Sequence, residues 1–176
     1  RQLLALSIGV DDADDLARRA VTPGTPAFAA IKARWPTVIA ADGALDRAAL
    51  RHVAFADAQA RAALNAIVHP AVARLRDALI AEARKRGDAV VVYDVPLLFE
   101  AGLEGEVDTI VLVDAPEPVR RARLVRERGL SESDANAMIA AQMPAQSKRR
   151  RAHFVIENDA DRAALTARVD ALWDTL

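Results

Sequence analysis

The chain has 176 residues, of which 52% are hydrophobic and 28% charged, with a formal net charge of −1. This is the balance of one compact globular domain; it excludes a disordered chain and gives no support to nucleic-acid binding through a global positive field. With no cysteine, disulfides and thiolate metal sites are excluded, and no run of roughly 18 apolar residues is available to span a membrane.

Aromatic residues make up only 4%, so alanine, leucine and valine must fill the core. The first residues, 1–10, lack the charged and long apolar segments of a secretory signal, and the cysteine-free composition suits the cytoplasm.

In chain order, residues 8–10 read as a strand ending at Asp11-Asp12. Residues 26–70 are helical without a clear strand, with a turn at Ala41-Asp42-Gly43 and a helix start near Asp46. Residues 71–86 place Val72, Leu75, Leu79 and Ala83 on one helical face. Residues 89–95 (AVVVYDV) form an unalternating β-branched run between Gly87 and Pro96, which suits a strand buried on both faces. Residues 109–113 (TIVLV) have the same character and end at Asp114-Ala115-Pro116.

Pro116 suits the first turn of a helix running to about Arg128. Ser131 and Asp134 resemble a capping box for a helix through Gln142. A short strand at 154–156 precedes a final helix over 161–176, with Leu165, Val169, Leu172, Trp173 and Leu176 as its apolar stripe. Strands alternating with helices indicate an α/β fold, with the helical middle as an insertion on it.

Four groups of residues carry chemical potential. If a strand ends at Asp12, residues two apart point the same way, so Asp12 and Asp14 would emerge together at the carboxyl end of a parallel sheet, where α/β folds bind ligands. Carboxylates there accept protons from hydroxyls or order magnesium-bound water; equally, Asp11, Asp12 and Asp14 serve as caps of a helix starting near Asp15. Asp94 ends the most apolar strand, at the position where phosphate-handling enzymes place a magnesium-associated acid, and it too has a plain reading as a strand-end residue bonded to backbone amides.

The basic run comprises Arg120, Arg121, Arg123, Arg126 and Arg128, then residues 148–151. Arg120, Arg123 and Arg126 are expected to share a helix face, and one or two such cations suffice for a phosphate, the rest being solvated surface. His69-Pro70 reads, on spacing, as a helix end followed by a proline that opens the next helix. His52 and His153 have no supporting context.

Taken in order, DADDLAR (12–18), PGTPA (23–27), ADGALDR (41–47), VAFAD (53–57), His69-Pro70, DVPLLFE (94–100), VDAP (113–116), GLS (129–131), AQMP (141–144) and VIEN (155–158) resemble the dephospho-coenzyme A kinases. The resemblance runs from end to end without large gaps. It implies the P-loop nucleoside monophosphate kinase fold, with a five-stranded parallel sheet in a three-layer sandwich, a helical acceptor-binding insertion at 26–86, a core at 1–25 and 87–176, and a lid at about 120–150.

The reaction implied is transfer of the ATP γ-phosphoryl group to the ribose 3′-hydroxyl of dephospho-coenzyme A, with Mg2+ as cofactor. By position, Asp14 would be the base, with Asp12, Arg18, His69 and Pro96 on the acceptor and Asp94 near magnesium. Arg123, Arg126 and Arg128 would serve the lid, and Asn158 the adenine end. An inactive relative that binds coenzyme A precursors, or another small-molecule kinase of the same fold, is the alternative.

The chain departs from the family's pattern twice. An Arg-Asp or Arg-Asn pair usual before the glycine matching Gly129 is Glu127-Arg128 here, so Arg126 or Arg128 is the expected substitute. The family also opens with a strand and a glycine-rich loop ending in Gly-Lys-Ser/Thr, whereas Gly9 is the only glycine before Gly24, and residues 1–6 resemble the end of the helix after that loop. The expectation is that about 20 residues precede Arg1 and that their strand lies between those at 89–95 and 109–113.

Overall fold

A computed structural model describes residues 9–176. Ile8, and the helix end expected at 1–6, lie outside the described residues. The chain divides between Pro96 and Leu97 into two compact units.

The first unit contains β1 (Gly9–Asp12), α1 (Ala13–Ala20), α2 (Pro26–Arg34), α3 (Arg47–Ala56), α4 (Ala58–Arg86) and β2 (Val91–Asp94), with a 3-10 turn at Pro36–Val38. β1 and β2 pair in parallel, Gly9 opposite Val91 and Asp12 opposite Asp94. The helices start where short polar side chains replace the first missing backbone acceptors. Thr25 Oγ1 accepts the Phe28 amide at 3.1 Å, with Pro26 in the first turn of α2. Asp46 takes the amides of Ala48 and Ala49, and Asp57 those of Gln59 and Ala60. Between α2 and α3, Asp42 accepts the Ala44 amide and Ile39 bridges Leu45, which closes the expected turn.

α1, α2 and α3 all pack on α4. Ala20, Val21, Ala27, Ile31, Val38 and Ala71 form the buried cluster, with Val72 and Leu75 of the expected stripe against it. α4 is one helix of 29 residues, about 43 Å long at the usual rise. The break read from His69-Pro70 is therefore corrected: Pro70 lies inside α4. Proline removes one backbone donor and crowds the preceding turn, a cost of about 3 kcal/mol that the packing of Ile67 and Val68 before it and of Ala71, Val72 and Leu75 after it in the unit's core offsets. α4 ends at Gly87, whose left-handed φ of 78° lets its amide reach the carbonyls of Ala83 and Arg84.

The second unit contains a 3-10 turn at Glu104–Glu106, β3 (Val111–Asp114), α5 (Glu117–Arg128), α6 (Glu132–Ala140), α7 (Ala145–Arg151), β4 (Phe154–Glu157) and α8 (Arg162–Trp173). β3 and β4 pair in parallel, Val111 opposite Phe154 and Asp114 opposite Glu157. His153, which had no context in the sequence, fastens the start of this pair: its Nδ1 accepts the Ile110 amide at 2.9 Å. Gly129 ends α5 at φ 65°, and Ser131 caps α6 through the Asp134 amide as expected, while its hydroxyl donates to the Asp134 carboxylate.

The architecture is α/β with parallel strands, as expected. Among the described residues the strands number four, a parallel pair in each unit. β3 is not buried on both faces: Val111 and Val113 are exposed and Leu112 is half-buried, because within its own unit only one face is covered.

Candidate active site

The first unit gathers acids at the carboxyl ends of its strands. Parallel register sets Asp12 beside Asp94. The chain turns directly from Asp12 into α1, so Asp14 belongs to the first helical turn and not to the strand. Strand alternation is thus not what brings Asp12 and Asp14 together. Asp12 caps the helix instead, its Oδ1 accepting the Asp14 amide at 2.7 Å. The capping reading holds for Asp12 alone, with the helix opening at Ala13 rather than near Asp15.

Burial raises the Asp94 pKa, and the negative charges of Asp12 and Asp14 push it in the same direction. Solvent still reaches all three residues, so the carboxylates are crowded but accessible. Arg18 is exposed in the last turn of α1, His69 is exposed on α4, the helix on which α1 packs, and Pro96 is exposed two residues beyond Asp94.

The second unit gathers cations. α5 and α6 pack together and leave a groove of about 320 Å³ lined by Arg120, Arg123, Glu127, Arg128, Met138 and Gln142 among others. The expected face of Arg120, Arg123 and Arg126 is corrected. At about 100° per residue, positions 120, 123, 127 and 128 return to one face, whereas 126 falls well off it. Arg126 is exposed and pairs with Glu127 at 2.5 Å. Arg120 Nε is buried in this wall with no hydrogen-bond partner among the described residues.

Past the strands of this unit, Arg149 spans both carboxyl ends: Nη1 donates to Asp114 at 3.0 Å and Nη2 to Glu157 at 2.5 Å. These two bonds raise the guanidinium's already high pKa further. The Asn158 amide donates to the Asp114 carbonyl at 2.6 Å, and Arg168 holds the Glu157 carbonyl and the Asp159 carboxylate. The Arg168 bond leads the lowering of the Asp159 pKa. The turn bearing Asn158 is therefore braced from α7 and α8.

Sequence reading passed over Glu100 and Lys148. Lys148 Nζ lies 2.7 Å from Glu100 Oε1, and the same oxygen accepts the Met143 amide at 2.9 Å. Glu100 was visible as the last residue of DVPLLFE, but Lys148 stood in a basic run that reads as solvated surface.

The dephospho-CoA kinase family profile matches residues 1–164. The chain belongs to the dephospho-CoA kinase family. A dephospho-CoA kinase of Anaeromyxobacter dehalogenans is 46% identical over 171 residues, covering 97% of this chain and 81% of that protein. One from Streptomyces avermitilis is 46% identical over 167 residues, covering 94% and 80%. The crystal structure of TT1252 from Thermus thermophilus superposes with a TM-score of 0.80 at 36% identity, covering 99% of this chain and 87% of that one. Dephospho-CoA kinase from Campylobacter jejuni, at 19% identity and a TM-score of 0.70 over 97% and 86% of the two chains, shares the fold. The family is one of ATP-dependent kinases, and the P-loop kinase fold expected from the motifs is the fold of these relatives.

Proposed function

We propose that this chain transfers the γ-phosphoryl group of ATP to the 3′-hydroxyl of dephospho-CoA. The observation that carries the reading is the parallel register of β1 with β2, which pairs Asp12 with Asp94 at the strand ends and leaves Asp14 exposed one step into α1. Family membership supports the choice of substrates.

Asp14 accepts the proton of the 3′-hydroxyl as that oxygen bonds to the γ-phosphorus, while the bond from the γ-phosphorus to the β-bridging oxygen breaks and ADP leaves. Asp12, whose Oδ1 accepts the Asp14 amide, orients the acceptor or the metal beside it. Arg18, His69 and Pro96 contact the acceptor. Arg123 and Arg128 offset the charge of the moving phosphate, Arg126 being turned to Glu127 instead, and Asn158 meets the adenine end.

Asp94 and its neighbours fit a magnesium ion held jointly with phosphate. Burial and the charges of Asp12 and Asp14 raise the Asp94 pKa, and a divalent cation would offset that penalty on the ionised form. When bound, magnesium would neutralise charge on the β- and γ-phosphates. The cysteine-free composition suits a reducing cytoplasm, and among the described residues no helix is long and apolar enough to cross a membrane.

The test is ADP release by the full protein with ATP, magnesium and dephospho-CoA. Asp14→Asn is expected to lower kcat by about 10²–10⁴-fold with a dephospho-CoA KM within about threefold of the parent. An unchanged kcat removes Asp14 from the chemistry. A parent protein that phosphorylates a nucleoside monophosphate and ignores dephospho-CoA overturns the substrate assignment.

A further inference from the structure

Among the described residues Lys148 is the one buried charged residue, only 8% exposed, although Arg149, Arg150 and Arg151 beside it on α7 are all exposed. A desolvated ammonium is costly and is kept only where its partner is well placed. That partner, Glu100, is bound twice, by the ammonium at 2.7 Å and by the Met143 amide at 2.9 Å. Burial works against the Glu100 charge, yet the bonds from Lys148 and Met143 outweigh it and hold the carboxyl below its ordinary range.

The same segment is gripped a second time from α7. The Arg151 guanidinium lies 5.2 Å from the Phe99 ring centroid and pairs with Glu104. Residues 97–106 continue directly from the strand that carries Asp94. Met143 in turn follows Gln142, which lines the α5–α6 groove with Arg123 and Arg128. One carboxylate thus connects the segment leaving β2 to the turn on which α6 ends.

We infer that Glu100 and Lys148 are positioning residues for phosphoryl transfer: they pin the turn at 141–144 and so fix where the α5–α6 pair presents Arg123 and Arg128. The inference rests on the reading of those two arginines as contacts to ATP phosphates. The tie lies in the same unit as Arg123 and Arg128, whereas Arg18 and His69 lie in the other, so its loss is expected to fall on ATP more than on the acceptor.

The experiment uses the full protein carrying Lys148→Met, Lys148→Arg, Glu100→Gln or Glu100→Ala. Lys148→Met is expected to raise the KM for ATP about 10-fold, with the dephospho-CoA KM within about twofold of the parent, and Lys148→Arg to recover most of the loss. Glu100→Gln keeps an acceptor for Met143 and is expected to show a smaller shift in the same direction; it decides the question if Lys148→Met does not fold. A folded Lys148→Met protein with parental KM for ATP, or one in which both KM values rise together, overturns the inference. Amide exchange gives a readout independent of the reaction. Exchange at Met143 should accelerate about 10-fold or more in Glu100→Ala, and unchanged protection there refutes the pin. If the parent does not use dephospho-CoA at all, the proposed function fails, and the exchange measurement still judges the tie.

Discussion

Asp94 shows what a strand-end acid costs the fold that holds it. Its pKa is raised by burial and by the charges of Asp12 and Asp14, so folding disfavours its ionised form. For an acid shifted this way the penalty is fully present above the raised pKa and vanishes below the ordinary aspartate range. Asp94→Asn should therefore raise the melting temperature near about pH 7, with the gain shrinking as the pH falls through the raised pKa into the ordinary range. Activity should fall in the same variant. Thermal melts across pH, paired with the ADP assay, check both; a variant less stable than the parent near neutrality sinks the electrostatic account. Glu100 has the opposite sign. Its carboxyl is held low, so its contribution is present above the ordinary glutamate range and is lost as the pH falls through the lowered pKa.

Helix faces separate the arginines of α5 that a list of basic residues leaves together. Arg123 and Arg128 line the groove, whereas Arg126 pairs with Glu127 in solvent. A charged hydrogen bond contributes about 1.5–3 kcal/mol, so Arg123→Ala or Arg128→Ala should raise the KM for ATP by about 10–100-fold. Arg126→Ala should stay within about twofold, since exposed pairs contribute little. Steady-state kinetics of the three variants decides it, and an equal effect at all three positions would show that net charge matters rather than facing.

The same elements show what was legible. Helices were readable because apolar residues recur at helical spacing and because Asp46 and Ser131 cap them locally. The break at Pro70 was misread because proline's local cost is visible in sequence, while the contacts of Ala71 and Val72 that offset it are not. The strand-end acids were readable as a group, but the geometry joining them was not: Asp14 sits on a helix, where strand alternation does not apply. Lys148 was unreadable for a related reason. Burial of one cation among four depends on Glu100, a partner far off in the chain.

At the scale of the whole molecule, the chain is two compact units joined at Pro96 and Leu97, each with its own parallel pair of strands. The acids proposed for proton transfer and metal lie in the first unit, and the arginine groove and the braced Asn158 turn lie in the second. The two tryptophans divide the same way. Trp35 packs against the core cluster of the first unit, and Trp173 lies in the last turn of α8 in the second. Trp35→Phe and Trp173→Phe proteins therefore each leave one emitter that reports a single unit. Without ligand the two fluorescence transitions should not coincide, because compact units with strand pairs and helices of their own unfold at their own midpoints. Binding stabilises only the state that binds, by about 2.7 kcal/mol when ligand is at 100 times its Kd. ATP without magnesium or acceptor is expected to reach the arginines first, so the Trp173 transition should rise while the Trp35 transition moves less. Coincident midpoints without ligand would mean that the units melt as one. A shift confined to Trp35 would move the principal ATP contacts from the α5–α6 groove to the acidic strand ends.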